Sequence, residues 1–320
     1  MLAGTSALVD LVRDFLSVYL RLRTLFDRSR AGELRFEDVP ALVGDDRDSL
    51  LFRLKERSHA LYRAEGGEGG VPRPRQALFD LAVGSLFHEA MKLRENLYQT
   101  EIYAPKVREL QKAAGAESDV LFREFEKILN VAGARLSEAL DEAEELLEHT
   151  RSQFRSLLSG YRDEPLIART LVAESHRVSE TFPDGIDAIL ADIWGSAAEG
   201  YVTAAVSYLE SAYFEEAILA LAEAEKRSDG REDLARLAAY AEGMQAYQAG
   251  DYEASLERFD TWLDLGPLAT EGAFARLALS AITSVESLVP SEERAGFAQS
   301  SAEVAKRIRS FGFADDLPAS

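Results

Sequence analysis

Residues 242 to 267 read EGMQAYQAGDYEASLERFDTWLDLGP, two stretches of helical period joined by the turn Gly250-Asp251-Tyr252. On the second stretch Ser255 is followed four residues later by Phe259, and Gly243 is a small position on the first. Antiparallel helices approach closely only where one contributes a small side chain, so this spacing predicts a tightly packed pair. The same texture recurs upstream in AAVSYLESAYFEEAILALAEAEK, residues 204 to 226. There Phe214 occupies the turn, and Ala217 precedes Leu221 by four. Downstream, about 270 to 287 and 291 to 310 have the right lengths for a third pair but almost no signature. The fold class expected is all-α: an N-terminal helical bundle followed by antiparallel helix pairs.

Outward toward the N-terminus the helical period persists and no convincing alternating strand run appears. Residues 5 to 29 align Leu8, Leu11, Phe15, Val18, Leu22 and Leu25 on one stripe, an amphipathic helix. A short piece follows at Phe36 to Val43. A second helix is expected from about Asp46 to Ala64, opening on an aspartate-rich first turn that suits the helix dipole. The most loop-like stretch is Gly66-Gly67-Glu68-Gly69-Gly70-Val71-Pro72. A third helix, 76 to 99, carries the inward stripe Phe79, Ala82, Leu86, Ala90, Leu93 and Leu97. Pro105 then reads as a boundary, and Gly115 as the end of a shorter helix.

From Ser118 to Leu158 there is no proline, and apolar or small residues recur from Leu121 to Leu157 at an average spacing of about 3.6. A sustained coiled coil would hold 3.5, so this helix is expected to pack on its neighbours, with Gly133 as a point where it could break. Helices are expected next at about 165 to 180 and 183 to 194. The domains expected are 1–115, a helical bundle; 116–197, the long helix and connectors; 198–310, the repeat-like pairs; and 311–320, a tail.

Composition limits the chemistry. The 320 residues contain no cysteine, which removes disulfides, thiolate metal sites and cysteine nucleophiles. Net charge is −20, and residues 1 to 120 hold 18 Lys and Arg against 19 Asp and Glu. Nearly all the excess negative charge therefore lies in the C-terminal 200 residues, a surface that repels phosphate backbones, so no nucleic acid is expected as partner. The N-terminal stretch interrupts its apolar pattern with Asp10, Arg13 and Asp14, unlike a secretory signal, and no apolar window is long enough to span a membrane. A cytoplasmic address and no membrane insertion follow as expectations.

Of the four histidines only His59 completes a Glu-x-x-His pattern, with Glu56, so no metal site is expected. The glycine-rich stretch lacks Gly-Lys-Ser/Thr, and there is no G-x-S-x-G elbow. No carboxylate pair stands out as acid and base. The expectation is no cofactor and no catalytic residue.

The helix pairs resemble the tetratricopeptide repeat, whose consensus runs W-x2-L-G-x2-Y, later A-x3-F, then P, over 34 residues. Gly243 fits its small position, Gly250-Asp251-Tyr252 its turn and Pro267 its closing proline; in the first copy Ala205 and Tyr208 stand at the small and aromatic positions. The opening tryptophan is absent from both copies, Trp262 stands where a small residue is usual, and Ala217 to Ser255 spans 38 residues.

The resemblance implies a concave groove lined by the first helix of each pair. By position it would use Val202, Val206 and Leu209, then Leu237, Tyr240, Met244 and Tyr247. These positions include no Lys or Arg, so the clamp by which some relatives hold a C-terminal carboxylate is missing. The implied ligand is another protein, through an amphipathic helix or hydrophobic segment, with or without basic flanks. The alternative that the chain's own helices cover these residues stays open, as do a self-assembling structural subunit (a homo-oligomer) and an enzyme with an unfamiliar helical site. A second candidate contact face lies on the third helix, where His88, Lys92 and Glu95 share one side and Met91, Arg94 and Tyr98 the adjacent one.

Overall fold

The computed structural model describes residues 2–44, 47–66, 73–114, 119–228, 230–267, 271–289 and 294–311. Among them every regular element is helical. The chain divides into two compact units, Met1–Ile167 with Glu174–Ile186, and Ala168–Ala173 with Asp187–Ser320.

The first unit holds α1 (Leu2–Arg30), α2 (Leu50–Gly66), α3 (Pro74–Leu97), α4 (Ala104–Ala114), the 40-residue α5 (Asp119–Leu158) and, beyond the start of α6 (Pro165–Ala173), α7 (Ser175–Thr181). The inward stripe of α3 is buried as its period requires, and α3 packs along α5. Four phenylalanines meet at the centre. Phe15 of α1 stacks on Phe154 of α5 at 4.1 Å, and Phe79 of α3 and Phe182 beyond α7 close around them at 5.9 to 6.4 Å. Offset aromatic packing of this kind adds about 0.5–1.5 kcal/mol per pair beyond the area buried.

Four boundaries differ from the sequence reading. Helix α2 begins at Leu50, because Leu50 N–H donates to Ala41 C=O at 3.2 Å and Leu51 N–H to Leu42 C=O at 2.9 Å. Carbonyls of the preceding segment thus satisfy free N–H groups of the first turn, and Asp45 and Asp46 lie outside the described residues. Helix α5 runs through Gly133 without a break. The boundary near Pro105 is a π-helical turn, Tyr98–Tyr103, that leads directly into α4, with Pro105 in the first turn of α4. The helix expected over 165 to 180 is broken at Glu174, whose carboxylate contacts Arg13 of α1 at 3.3 Å and Arg177 at 2.9 Å, so α7 turns onto α1. The glycine-rich stretch 67–72 and Gly115 lie outside the described residues.

The second unit continues through α8 (Gly185–Trp194), whose first residues belong to the first unit. It then holds α9 (Ala197–Glu210), α10 (Phe214–Glu225), α11 (Glu232–Ala249), α12 (Tyr252–Asp264), α13 (Gly272–Leu288) and α14 (Arg294–Ser310). They pack as neighbours: α9 with α10, α11 with α12, α13 with α14. The α11/α12 pair approaches closely at Gly243. A β-carbon on Gly243 would lie 2.8 Å from the Phe259 ring, and Ser255 Oγ donates to Gly243 C=O at 2.8 Å. Gly250 ends α11 at φ +80°, a left-handed conformation glycine adopts without strain.

Trp262 is the centre of a buried polar group. Its indole N–H donates to Glu271 Oε2 at 3.2 Å, and Arg236 Nε donates to Glu271 Oε1 at 2.8 Å. All three side chains are buried, so the carboxylate satisfies a cation and an indole at once.

Candidate functional site

A concavity of the second unit lies between α12 and α14. It is a groove of about 1070 Å³, lined also by the Gly250-Asp251 turn and by Val289 after α13. Helix α12 contributes Tyr252, Glu253, Leu256, Glu257 and Asp260, and α14 contributes Phe297, Ser300, Glu303, Val304 and Arg307. Leu256, Val289 and Val304 are buried, which makes the base apolar. Tyr252 and Phe297 meet edge to face at 6.3 Å, and Tyr247 packs against Tyr252 at 6.0 Å.

Charge is divided along the groove. Asp251 accepts from Ala254 N–H at 3.2 Å and caps α12, where the helix dipole favours a negative group. At the other end Arg307 crosses from α14 to α12, binding Asp264 at 2.6 Å and Asp260. The hydrogen bond that Arg307 donates to Asp264 and the charge of Asp260 push the Arg307 pKa further up, so it is a permanent cation engaged with both. Glu253, Glu257 and Glu303 are exposed and have no side-chain partner among the described residues. Glu253 and Glu257 stand one turn apart on the same helix face, where like charges repel.

The trough expected on the first helices is not open where it was placed. Leu209, Leu237, Tyr240 and Met244 are buried in the core of the second unit. The Tyr240 ring stacks on Phe274 of α13 at 4.9 Å and contacts Trp262 at 5.5 Å, so α13 covers that part of α11. Val202 and Val206 are half-buried. Tyr247, also half-buried, shares a 2.7 Å hydrogen bond with Ser284 of α13 and reaches the edge of the α12/α14 groove through its contact with Tyr252. The physical reason is that the third pair, almost without signature in sequence, supplies aromatic and hydroxyl partners to α11.

On α3, His88, Lys92, Glu95 and Tyr98 are exposed, with Met91 and Arg94 half-buried. Lys92 pairs with Glu89 at 2.9 Å, Glu95 accepts from Gln99 at 3.1 Å, and Tyr98 packs edge-on against Phe36 at 5.5 Å. These residues share one exposed stretch of surface. Elsewhere in the first unit Asp80 of α3 accepts from Ser58 at 2.9 Å and contacts His59 Nδ1 at 3.1 Å, both on α2. The carboxylate stands between hydroxyl and imidazole, so this trio clamps α2 to α3 and does not pair a nucleophile with a base. Among the described residues no three His, Asp or Glu side chains cluster as metal ligands, and no helix is long and apolar enough to cross a membrane.

The α14 wall was missed because its residues carry no motif. The α12 wall left a legible trace: Glu253, Glu257, Asp260 and Asp264 recur at helical spacing and form one acidic face. Fold and groove together define an all-α protein of neighbouring helix pairs with an acidic, aromatic-based groove. No family model, curated protein or solved structure matches the chain.

Proposed function

We propose that the protein is a non-enzymatic interaction scaffold, and that the α12/α14 groove in a tetratricopeptide-like array holds a segment of another protein. The groove itself carries this reading. Its volume, about 1070 Å³, stands at the upper end of the range of small-molecule pockets, roughly 300–1000 Å³. An apolar strip bordered by half-buried aromatic rings is the lining on which a polypeptide's side chains gain most when water is removed. The Gly243–Phe259 approach, the Gly250 turn and the three consecutive pairs support the repeat-like array. The receiving surface falls on the second helices of the pairs and not, as the resemblance implies, on the first.

The experiment is quantitative affinity capture from native lysate with the wild type and with a Tyr252→Ala/Phe297→Ala double variant whose helicity and unfolding midpoint have been checked. The expected outcome is that specific partners are depleted in the variant's eluate. An unchanged set of captured proteins overturns the reading.

A further inference from the structure

Resting on the scaffold reading above, we infer that the segment held in the α12/α14 groove is a basic amphipathic helix with Lys or Arg residues one turn apart. The groove is acidic, with carboxylates outnumbering its one cation. Arg307 pairs with both Asp260 and Asp264, one cation against two carboxylates, and Glu253, Glu257 and Glu303 have no side-chain counter-charge among the described residues. Glu253 and Glu257, at i and i+4, are about 6 Å apart along the helix axis, the rise of one turn. Two cations at the same spacing on a facing helix would meet both and relieve their repulsion.

Between the carboxylates the occupant meets Leu256 and Val304, which requires an apolar stripe beside the basic one. The rings of Tyr252 and Phe297 line the groove, and an aromatic ring attracts a guanidinium or ammonium through its quadrupole. A helix with one basic and one apolar face satisfies all three demands.

Other occupants fit worse. The chain's own C-terminal stretch, FGFADDLPAS, carries Asp315 and Asp316 and no Lys or Arg. A second copy would bring like charge, since the second unit holds 24 Asp and Glu against 11 Lys and Arg. Nucleic acid is repelled by the same excess.

The test uses the full chain and three labelled synthetic helices of about 18 residues, or five turns. One is amphipathic with Lys at i, i+4 spacing, one has Glu in place of each Lys, and one scrambles the Lys peptide's order. Affinity is read by fluorescence anisotropy and the footprint by hydrogen exchange. Both are repeated with a Glu253→Gln/Glu257→Gln/Glu303→Gln variant and with Glu215→Gln/Glu216→Gln, an exposed acidic pair on α10 away from the groove.

The expected result is binding of the ordered Lys helix with protection confined to α12 and α14, weakened roughly tenfold or more in the groove variant. The α10 variant stays within about twofold, and binding falls as the screening length shrinks from about 10 Å at 0.1 M salt to about 3 Å at 1 M. Equal losses in both variants, or equal binding of the scrambled peptide, overturn the inference, because the attraction is then general. Protection of α12 and α14 by the Glu helix removes the basic partner but leaves the groove as a docking site. Absence of α12/α14 protection by any peptide overturns the inference, and the lysate capture then decides separately whether the scaffold reading survives.

Discussion

At the scale of single residues, Gly243 and Gly84 make opposite demands. A β-carbon at Gly243 meets the Phe259 ring at 2.8 Å, whereas one at Gly84, within α3, meets nothing within 4 Å. Gly243→Ala should therefore cost about 1–3 kcal/mol through overpacking, and Gly84→Ala should gain about 0.4–1 kcal/mol by restricting the unfolded chain. Urea midpoints at unchanged m-value measure both, and equal shifts would refute the close approach. Tyr240 is fully buried with its hydroxyl unpartnered among the described residues. Tyr240→Phe should be neutral or stabilising, since it removes an orphan polar group, while a charge at that position should unfold the unit. Burial raises the phenol pKa of Tyr240 most, and those of Tyr201 and Tyr208 in the same direction. The native state favours the neutral phenols, so their contribution is whole below the usual value near 10 and is lost as pH rises past it. Unfolding midpoints should fall above about pH 10, less steeply in Tyr240→Phe; a wild-type midpoint that stays level there contradicts the assignment.

At the scale of elements, stability concentrates where several helices share one group. Glu271, at the N-terminus of α13, ties Arg236 of α11 to Trp262 of α12. Glu271→Gln leaves a buried guanidinium without its counter-charge and should cost about 3–5 kcal/mol, whereas the paired apolar replacement Arg236→Met/Glu271→Leu should cost much less. Urea unfolding followed by tryptophan fluorescence compares them, and equal costs would show that the charges act independently. In the first unit Phe154→Ala removes the ring stacked on Phe15 and should cost about 3–5 kcal/mol, read from the loss of the cooperative circular-dichroism transition. Helices such as α3 and α5 were legible because a 3.6-residue stripe is a local property of the chain. The start of α2 and the break at Glu174 were not, because Ala41, Leu42 and Arg13 complete them from outside the helix.

At the scale of the molecule, charge and groove belong to the same unit, and the peptide and capture experiments address that unit's surface as a whole. The amino-acid sequence alone determined the all-helical class and the pairing of successive helices. Each of these follows from residues within one or two turns of each other or across one short loop. Tertiary structure alone decided which face stayed open. An amphipathic stripe requires that Leu237, Tyr240 and Met244 be covered but does not name what covers them, and Phe274 of α13 proves to be one of the covering groups. The groove likewise joins Asp260 to Arg307, 47 residues apart, and a pairing across that separation is set by the packing of helices and not by local spacing.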